Sequence, residues 1–302
     1  MSIILDESTR IIVQGVTGKV ARAVTNDMIA YGSCVVGGVS PGRGGETIEG
    51  IPVFDYVADA VEATGAQATL VFVPPHSATG AIDEAIDARL SLIVYPGDGL
   101  PLRDSVRLRR RLEDVGGWLI GPNSPGVITP GKAKMGFMPA RCYQPGALGV
   151  ISKSGSLSYE VCQRLTQSGI GQSTVVGIGG DPVKGLTAAE ALELFHHDDA
   201  TEQVLFLGEI GGLVEYEVAE YARRADAKPV SAFIAGSAAP AGRKMGHASA
   251  IISGPRETHA AKARALRAAR VRVADTLDGV IAAVTRDIAA EHLSSNTSEL
   301  KG

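Results

Sequence analysis

Short, unbroken apolar runs rich in β-branched residues recur along this chain, and most of them run into a glycine-rich turn. This rhythm constrains the fold more than any other feature. In the first half, strands are predicted over Arg10–Gln14, Cys34–Val39, Ala68–Val73 and Leu92–Tyr95. Amphipathic helices are predicted over Val20–Tyr31, Ala81–Leu90 and Asp104–Val115. Runs that are continuous rather than alternating belong to strands covered on both faces, hence to a parallel sheet flanked by helices. Strand and helix in alternation imply right-handed crossovers and a doubly wound sheet.

A Gly/Pro-rich stretch, Gly121–Gly146, interrupts the rhythm and reads as a connection between domains. The pattern then restarts. Strands are expected over Leu148–Ile151, Ser173–Gly177, Gln203–Leu207, Pro229–Ile234 and Val271–Val273. Helices are expected over Leu157–Gln167, Ala188–Phe195, Val214–Ala225, Glu257–Ala269 and Leu277–Ala290. The expected division is a first domain over 1–130, a linker over 131–146, a second α/β domain over 147–291 and a polar tail over 292–302.

Composition narrows the functional classes. The chain has 302 residues, 45% hydrophobic and 21% charged, with a net charge of −4, which leaves no basic footprint for nucleic acid or an anionic membrane. Cys34, Cys142 and Cys162 are far apart and form no CxxC pair, as suits a reducing compartment rather than a disulfide framework or a thiolate metal site. The opening MSIILDESTR lacks a basic region ahead of a long apolar run, so no signal peptide is expected. No apolar stretch reaches the ~18 residues of a membrane span. A cytoplasmic location is expected.

In open α/β sheets ligands sit beyond the carboxyl ends of strands, which directs attention to the glycine turns. Gln14-Gly15-Val16-Thr17-Gly18-Lys19 follows the first strand. Glycines there let a phosphate approach the backbone at a helix N-terminus. A dinucleotide site would place an acid after the second strand, but that strand ends VVGGVSPGRGG, which disfavours NAD. Arg43 in that loop suits a phosphate-bearing ligand. Gly126 to Ala133 fits GxxxxGK but ends in Ala, contains Pro130 and follows no strand, so it reads as linker.

Ser152-Lys153-Ser154-Gly155-Ser156 reads equally as a helix cap and as an anion cradle. Gly177-Ile-Gly-Gly-Asp181-Pro182 is a further turn after a strand. Glu209, framed by glycines at a strand end, is either a surface acid or a functional carboxylate. His247 lies among small residues beside Arg243 and Lys244, a setting that suits an anionic group. His196-His197-Asp198-Asp199 reads as a solvated helix terminus rather than a metal cluster, and no metal site is expected. His76, His259 and His292 carry no context.

In this order the segments VQGVTG, AYGSCVVGGVSPGRGG, GPNSPGVITPGK, VISKSGSLSYE, GQSTVVGIGGDPV, GEIGG and RKMGHASAII resemble the alpha subunit family of succinyl-CoA synthetase, to about residue 255. The resemblance implies a Rossmann-like CoA-binding domain followed by a flavodoxin-like doubly wound domain that carries a phosphohistidine. It implies a beta subunit with an ATP-grasp fold, in a heterodimer or heterotetramer, which binds ATP or GTP with magnesium. The implied reaction has three transfers: γ-phosphate to histidine, phosphohistidine to a carboxylic acid, and thiol attack on the acyl phosphate.

By the same resemblance His247 is the phosphate carrier and Glu209 its hydrogen-bonding acid. Ser152, Ser154, Gly155 and Ser156 hold the phosphoryl group. Tyr159, Asn123 and Ser124 face the acid substrate. Thr17, Gly18, Lys19, Val20, Arg43, Pro96, Gly97 and Asp98 contact CoA. The chain departs from the family at Lys19-Val20, Ala21-Arg22-Ala23-Val24, Gly97-Asp98, Ser124 and Pro139-Ala140-Arg141-Cys142, around the CoA and acid sites. Succinate is the implied acid. Malate, citrate or another acid is the alternative, as is a CoA-sensing homologue without turnover.

Overall fold

The computed structural model describes residues 2–285. Two seven-stranded sheets organise the chain. The first contains β1 (Ile11–Gln14), β2 (Val35–Val39), β3 (Thr47–Ile48), β4 (Ile51–Phe54), β5 (Ala68–Val71), β6 (Leu92–Val94) and β7 (Trp118–Ile120). Their order is β3-β4-β2-β1-β5-β6-β7, parallel throughout except for the β3–β4 pair. Helices α1 (Lys19–Tyr31), α2 (Val57–Thr64), α3 (Pro75–Asp87) and α4 (Leu102–Val115) make the crossovers. Strand order reverses between β1 and β5, which opens a crevice at their carboxyl ends. Unbroken burial of β1 and β5 is what their continuous apolar sequence required.

The second sheet contains β8 (Gly126–Thr129), β9 (Ala133–Gly136), β10 (Pro145–Ser152), β11 (Gln172–Gly177), β12 (Gln203–Glu209), β13 (Val230–Ala235) and β14 (Arg272–Ala274). The order is β14-β13-β12-β10-β11-β8-β9. Its five parallel strands follow the flavodoxin-like order, with the reversal between β10 and β12. Helices α5 (Gly155–Gln167), α6 (Ala188–His196), α7 (Val214–Tyr221) and α8 (His259–Ala268) flank it. Residues 277–285 are helical. The expected end of that helix and the polar tail at 292–302 lie outside the described residues. Among the described residues no helix is long and apolar enough to cross a membrane.

The expected connection Gly121–Gly146 is not free chain. β8 pairs antiparallel with β11 and with β9, so the stretch forms a hairpin on the second sheet. Its turn, Thr129 to Lys132, closes with a 3.0 Å bond from Lys132 N–H to the Thr129 carbonyl. Pro130 and the left-handed Gly131 (φ 78°) occupy the positions that a type II turn assigns to them. The GxxxxGK match is therefore a hairpin turn. The close approach of its strands requires glycine, since a Cβ on Gly126 would lie 1.9 Å from the Met135 carbonyl oxygen.

The hairpin also ties the two sheets together. Ser33 Oγ donates to the Lys134 carbonyl at 2.8 Å, Gly131 N–H donates to Tyr31 Oη at 2.8 Å, and buried Lys134 pairs with Asp27 of α1.

Other boundaries moved for local reasons. Helix α3 starts at Pro75 rather than Ala81, because proline suits the first helical turn even though Gly80 disguises the pattern. The short elements β3, β4, α2 and β7 were not foreseen. β12 extends beyond Leu207 to Glu209, so the glutamate is the last residue of a central strand.

Candidate active site

At the second reversal point the ends of β10 and β12 lie side by side, with Ser152 opposite Leu207. β12 delivers Glu209, whose side chain is only 9% exposed. The loop 242–250 brings His247 over it, and His247 Nδ1 lies 2.7 Å from Glu209 Oε2. The imidazole packs on Gly180, where a built Cβ would come within 2.7 Å of His247 Cγ. Ser249 fastens the loop, donating through Oγ to the Gly180 carbonyl at 2.7 Å. An ionised Glu209 makes Nδ1 the protonated nitrogen and leaves the Nε2 lone pair for chemistry.

The electrostatics support an ionised Glu209 and a proton on the facing Nδ1. The Glu209 hydrogen bond raises the His247 pKa above the ordinary histidine value, against burial and the nearby Lys153 and Lys184 charges. Burial pushes Glu209 up, but the His247 hydrogen bond and the Lys153 charge together hold it below the usual carboxylate range. Lys184 is pushed down to about 8, chiefly by burial.

The serine loop leads into α5. Ser152 is buried, and its Oγ donates to the Ser154 carbonyl at 2.7 Å. Ser154 caps the helix, accepting from Leu157 N–H at 3.5 Å. Gly155 and exposed Ser156 open the first turn, where backbone N–H groups have no intrahelical partner. Cap and anion cradle are thus compatible in one loop. Tyr159 lies one turn further along α5, half-buried, and burial pushes its phenol up to about 12.

Asn123 adopts a left-handed conformation (φ 58°) and joins the two halves of the molecule. Its N–H donates to the Gly97 carbonyl at 2.7 Å, and its carbonyl accepts from Gly180 N–H at 3.1 Å. Its side-chain amide reaches Asp181 Oδ1 at 3.3 Å. Ser124 is buried and its hydroxyl is engaged with Gly177 and Gly126 inside the fold. A cleft of about 340 Å³ lies between the sheets, lined by Asp98, Asn123, Asp181, Pro182, Lys244 and Gly246.

At the first reversal point Gly15 (φ 74°) makes the tight turn, with room for no Cβ beside the Phe72 carbonyl. Thr17 Oγ1 and Ser40 Oγ lie 3.1 Å apart and join the first two loops. Gly18 precedes α1, whose first turn has no side-chain cap and no acidic residue, so its N–H groups and positive dipole end face outward. Beside it a groove of about 810 Å³ is lined by Lys19, Val20, Phe137, Pro139 and Arg141. Phe137, brought by the hairpin, packs edge-on against Phe72 at 5.4 Å. Arg43 is exposed in the neighbouring loop, where Glu46 takes its guanidinium through a bond of 2.6 Å from Nη2. Pro96, Gly97 and Asp98 follow β6, with Gly97 against the Tyr95 ring.

Several residues that shape this site carried no recognisable signal. Gly180 is the seat of the imidazole. Glu215 and Lys262 are fully buried behind Glu209, although both sit in helices where their type reads as solvated. Lys153 was visible only as part of the serine motif.

Comparison with known proteins follows this division. A family model described as CoA binding domain matches residues 6–96, and one described as CoA-ligase matches residues 151–272. Succinate–CoA ligase [ADP-forming] subunit alpha 1 of Archaeoglobus fulgidus is 50% identical over 286 residues, 95% of this chain and 98% of that protein. The malate–CoA ligase subunit alpha of Methylorubrum extorquens is 48% identical over 91% of this chain and 94% of its own length.

Among solved structures, ATP citrate lyase from Methanothrix soehngenii, in complex with citrate and coenzyme A, superposes with a TM-score of 0.87 over 96% of this chain at 24% identity. This chain spans about half of that one (51%), and the likeness shows the fold. With half of its residues shared across nearly the full length of a curated relative, the chain belongs to the succinate–CoA ligase alpha subunit family.

Proposed function

We propose that this chain is the alpha subunit of a nucleotide-dependent ligase that joins succinate to coenzyme A, reversibly, through a phosphate carried on His247. The 2.7 Å contact between His247 Nδ1 and Glu209 carries this reading. It fixes the tautomer in which Nε2 is the nucleophile. His247 takes the γ-phosphoryl group on Nε2 as the nucleoside diphosphate leaves, then passes it to the substrate carboxylate and regains its lone pair. The N–H groups at Gly155 and Ser156 shelter the charge of the phosphoryl group in transit. Coenzyme A supplies the thiol that displaces phosphate from the acyl phosphate. The balance is nucleoside triphosphate, acid and thiol against diphosphate, phosphate and thioester.

The first reversal point fits the coenzyme. Its turn admits no side chain at Gly15, Lys19 opens an uncapped helix N-terminus, and Arg43 stands exposed in the neighbouring loop, so each offers a cation for phosphates. The apolar side chains Val20 and Phe137 line the adjoining groove and suit the pantetheine arm. In this reading Pro96, Gly97 and Asp98 guide the thiol end toward the cleft beside Asn123, and Tyr159 stands on the acid side. The relatives are named as alpha subunits, which implies a partner subunit. We assign that partner an ATP-grasp beta subunit that binds ATP or GTP with magnesium, and we place the complex in the cytoplasm.

Phosphoryl labelling tests the reading. The chain, co-purified with its partner subunit, is given labelled ATP or GTP with magnesium. An acid-labile label on His247, lost in His247→Ala and discharged by succinate with CoA, is expected. No label in the folded complex would overturn the relay. The malate–CoA ligase relative makes malate the competing acid, and discharge by malate or citrate but not succinate would replace the substrate while keeping the mechanism.

A further inference from the structure

Behind the histidine–glutamate pair lies a row of buried charges that the reaction as described does not use. Lys153, in the loop after β10, is 1% exposed and places Nζ 3.4 Å from Glu209 Oε1 and 3.8 Å from Glu215 Oε1. Glu215, in the first turn of α7, is fully buried and ion-paired with Lys262 of α8, itself fully buried. The sequence His247, Glu209, Lys153, Glu215, Lys262 alternates in sign and draws on separate structural elements.

The same groups grip the backbone of Glu209. Its N–H donates to Glu215 Oε1 at 3.2 Å. Its carbonyl accepts from Lys262 Nζ at 2.8 Å, and Lys262 also donates to the Gly211 carbonyl at 2.5 Å. Gly208 makes the approach of Glu215 possible, since a Cβ there would lie 2.7 Å from Glu215 Oε1.

Buried ion pairs seldom add stability over apolar packing of the same volume, because desolvating the charges offsets their attraction. Such an array is therefore a weak device for holding a fold, whereas it is well suited to holding one carboxylate in one orientation. Glu209 has two oxygens to place. Oε2 meets His247, and Oε1 faces Lys153, with Ser249 Oγ at 3.4 Å.

We propose that Lys153, braced by Glu215 and Lys262, is a positioning residue for the phosphoryl relay, holding Glu209 Oε1 so that Oε2 stays on His247 Nδ1. This rests on the reading of His247 as the phosphate carrier. Lys153 acts through Glu209 and touches no substrate. The other charged groups near the pair are Asp181 and Lys184, from the loop after β11. Lys184 donates to the Asp181 carbonyl at 2.6 Å and makes no such contact with Glu209.

The test follows formation of acid-labile phosphate on His247 in the complex with the partner subunit, from pH 6 to 9, in wild type, Lys153→Met, Glu209→Gln and the double variant. Lys153→Met is expected to slow labelling about tenfold or more and to move the acid limb of the rate profile up by about one unit. In the Glu209→Gln background the same change is expected to cost about twofold or less, since its target is gone. Lys153→Met/Glu215→Gln, which keeps the remaining buried charges balanced, serves if the single variant folds poorly, and it is expected to show the same displaced limb.

Equal losses in both backgrounds, or an unmoved acid limb in a folded variant, would overturn the positioning role while leaving the relay intact. Absence of label on wild type would overturn both.

Discussion

A methyl group placed on Gly180 tests whether imidazole placement limits the proposed relay. In Gly180→Ala the new Cβ would lie 2.7 Å from His247 Cγ and 3.0 Å from both Nδ1 and Cδ2. Gly180 cannot easily retreat, because its N–H is bound to Asn123 and its carbonyl to Ser249. The ring must therefore move by about 0.7–1 Å to reach ordinary van der Waals contact. That shift carries Nδ1 from its 2.7 Å contact with Glu209 past the usual hydrogen-bond limit of about 3.2 Å.

A hydrogen bond to a charged group contributes about 1.5–3 kcal/mol. At about 1.4 kcal/mol per decade, its loss predicts phosphorylation of His247 slowed by about 10–100-fold. The assay is the rate of acid-labile label in the complex, with thermal unfolding as the control for the fold. Gly180 has no positive φ, so alanine suits its backbone and the effect should be confined to the ring. Labelling at the wild-type rate would refute the reasoning. So would an undiminished effect of the methyl in a Glu209→Gln background, where there is no charge-assisted bond left to lose.

The pH dependence of the pair has a definite sign. The folded protein raises His247, so the stability it contributes is complete below the ordinary histidine pKa and is lost as pH rises through the raised value. Glu209 is lowered, so its contribution is present above the ordinary carboxylate pKa and is lost as pH falls through the depressed value. Denaturant unfolding of wild type against His247→Gln should therefore show its largest difference between about pH 4.5 and 6.5 and a smaller one at pH 8–9. A difference that grows with pH would contradict this. In CoA titrations Arg43→Ala should weaken binding by about tenfold, as for loss of one charge-assisted phosphate contact. Glu46→Gln, which frees the guanidinium, should not weaken it; a matching loss in Glu46→Gln would mean that the ion pair, not the free cation, supports the site. Ser154→Ala should cost about 1 kcal/mol of stability by removing the α5 cap, measured by urea unfolding. No change would show that the 3.5 Å cap contact contributes nothing.

Much of this architecture was legible because parallel strands covered on both faces write themselves as continuous apolar runs. β1, β10, β11 and β12 were all found that way. The hairpin β8–β9 was not, since a Gly/Pro-rich composition reads as a connection and the glycines there serve strand approach and a type II turn. The histidine and glutamate were visible because small residues and glycines surround them. Their support was not. Lys262 stands in HAAKARALRA, among arginines that face solvent, and no local feature tells the buried lysine from its neighbours. Gly180 looked like one more turn glycine. What these residues have in common is that their roles arise from elements distant in sequence, and a reading based on local pattern has no access to such contacts.

The link between the two sheets explains why one chain carries both reversal points. In the proposed reaction a thiol and an acyl phosphate must meet, so the end of the first sheet assigned to the coenzyme and the histidine of the second need a fixed relation. Asn123 supplies one, since its N–H holds Gly97 and its carbonyl holds Gly180, the residue on which His247 rests. The left-handed backbone at Asn123 makes both contacts possible, and asparagine adopts that conformation more readily than most side chains. The hairpin supplies a second link by joining β11 on one side to α1 on the other. Both links sit in the stretch between the sheets, so the segment that looked like passive connection is the part that registers the loops of the first reversal point against His247.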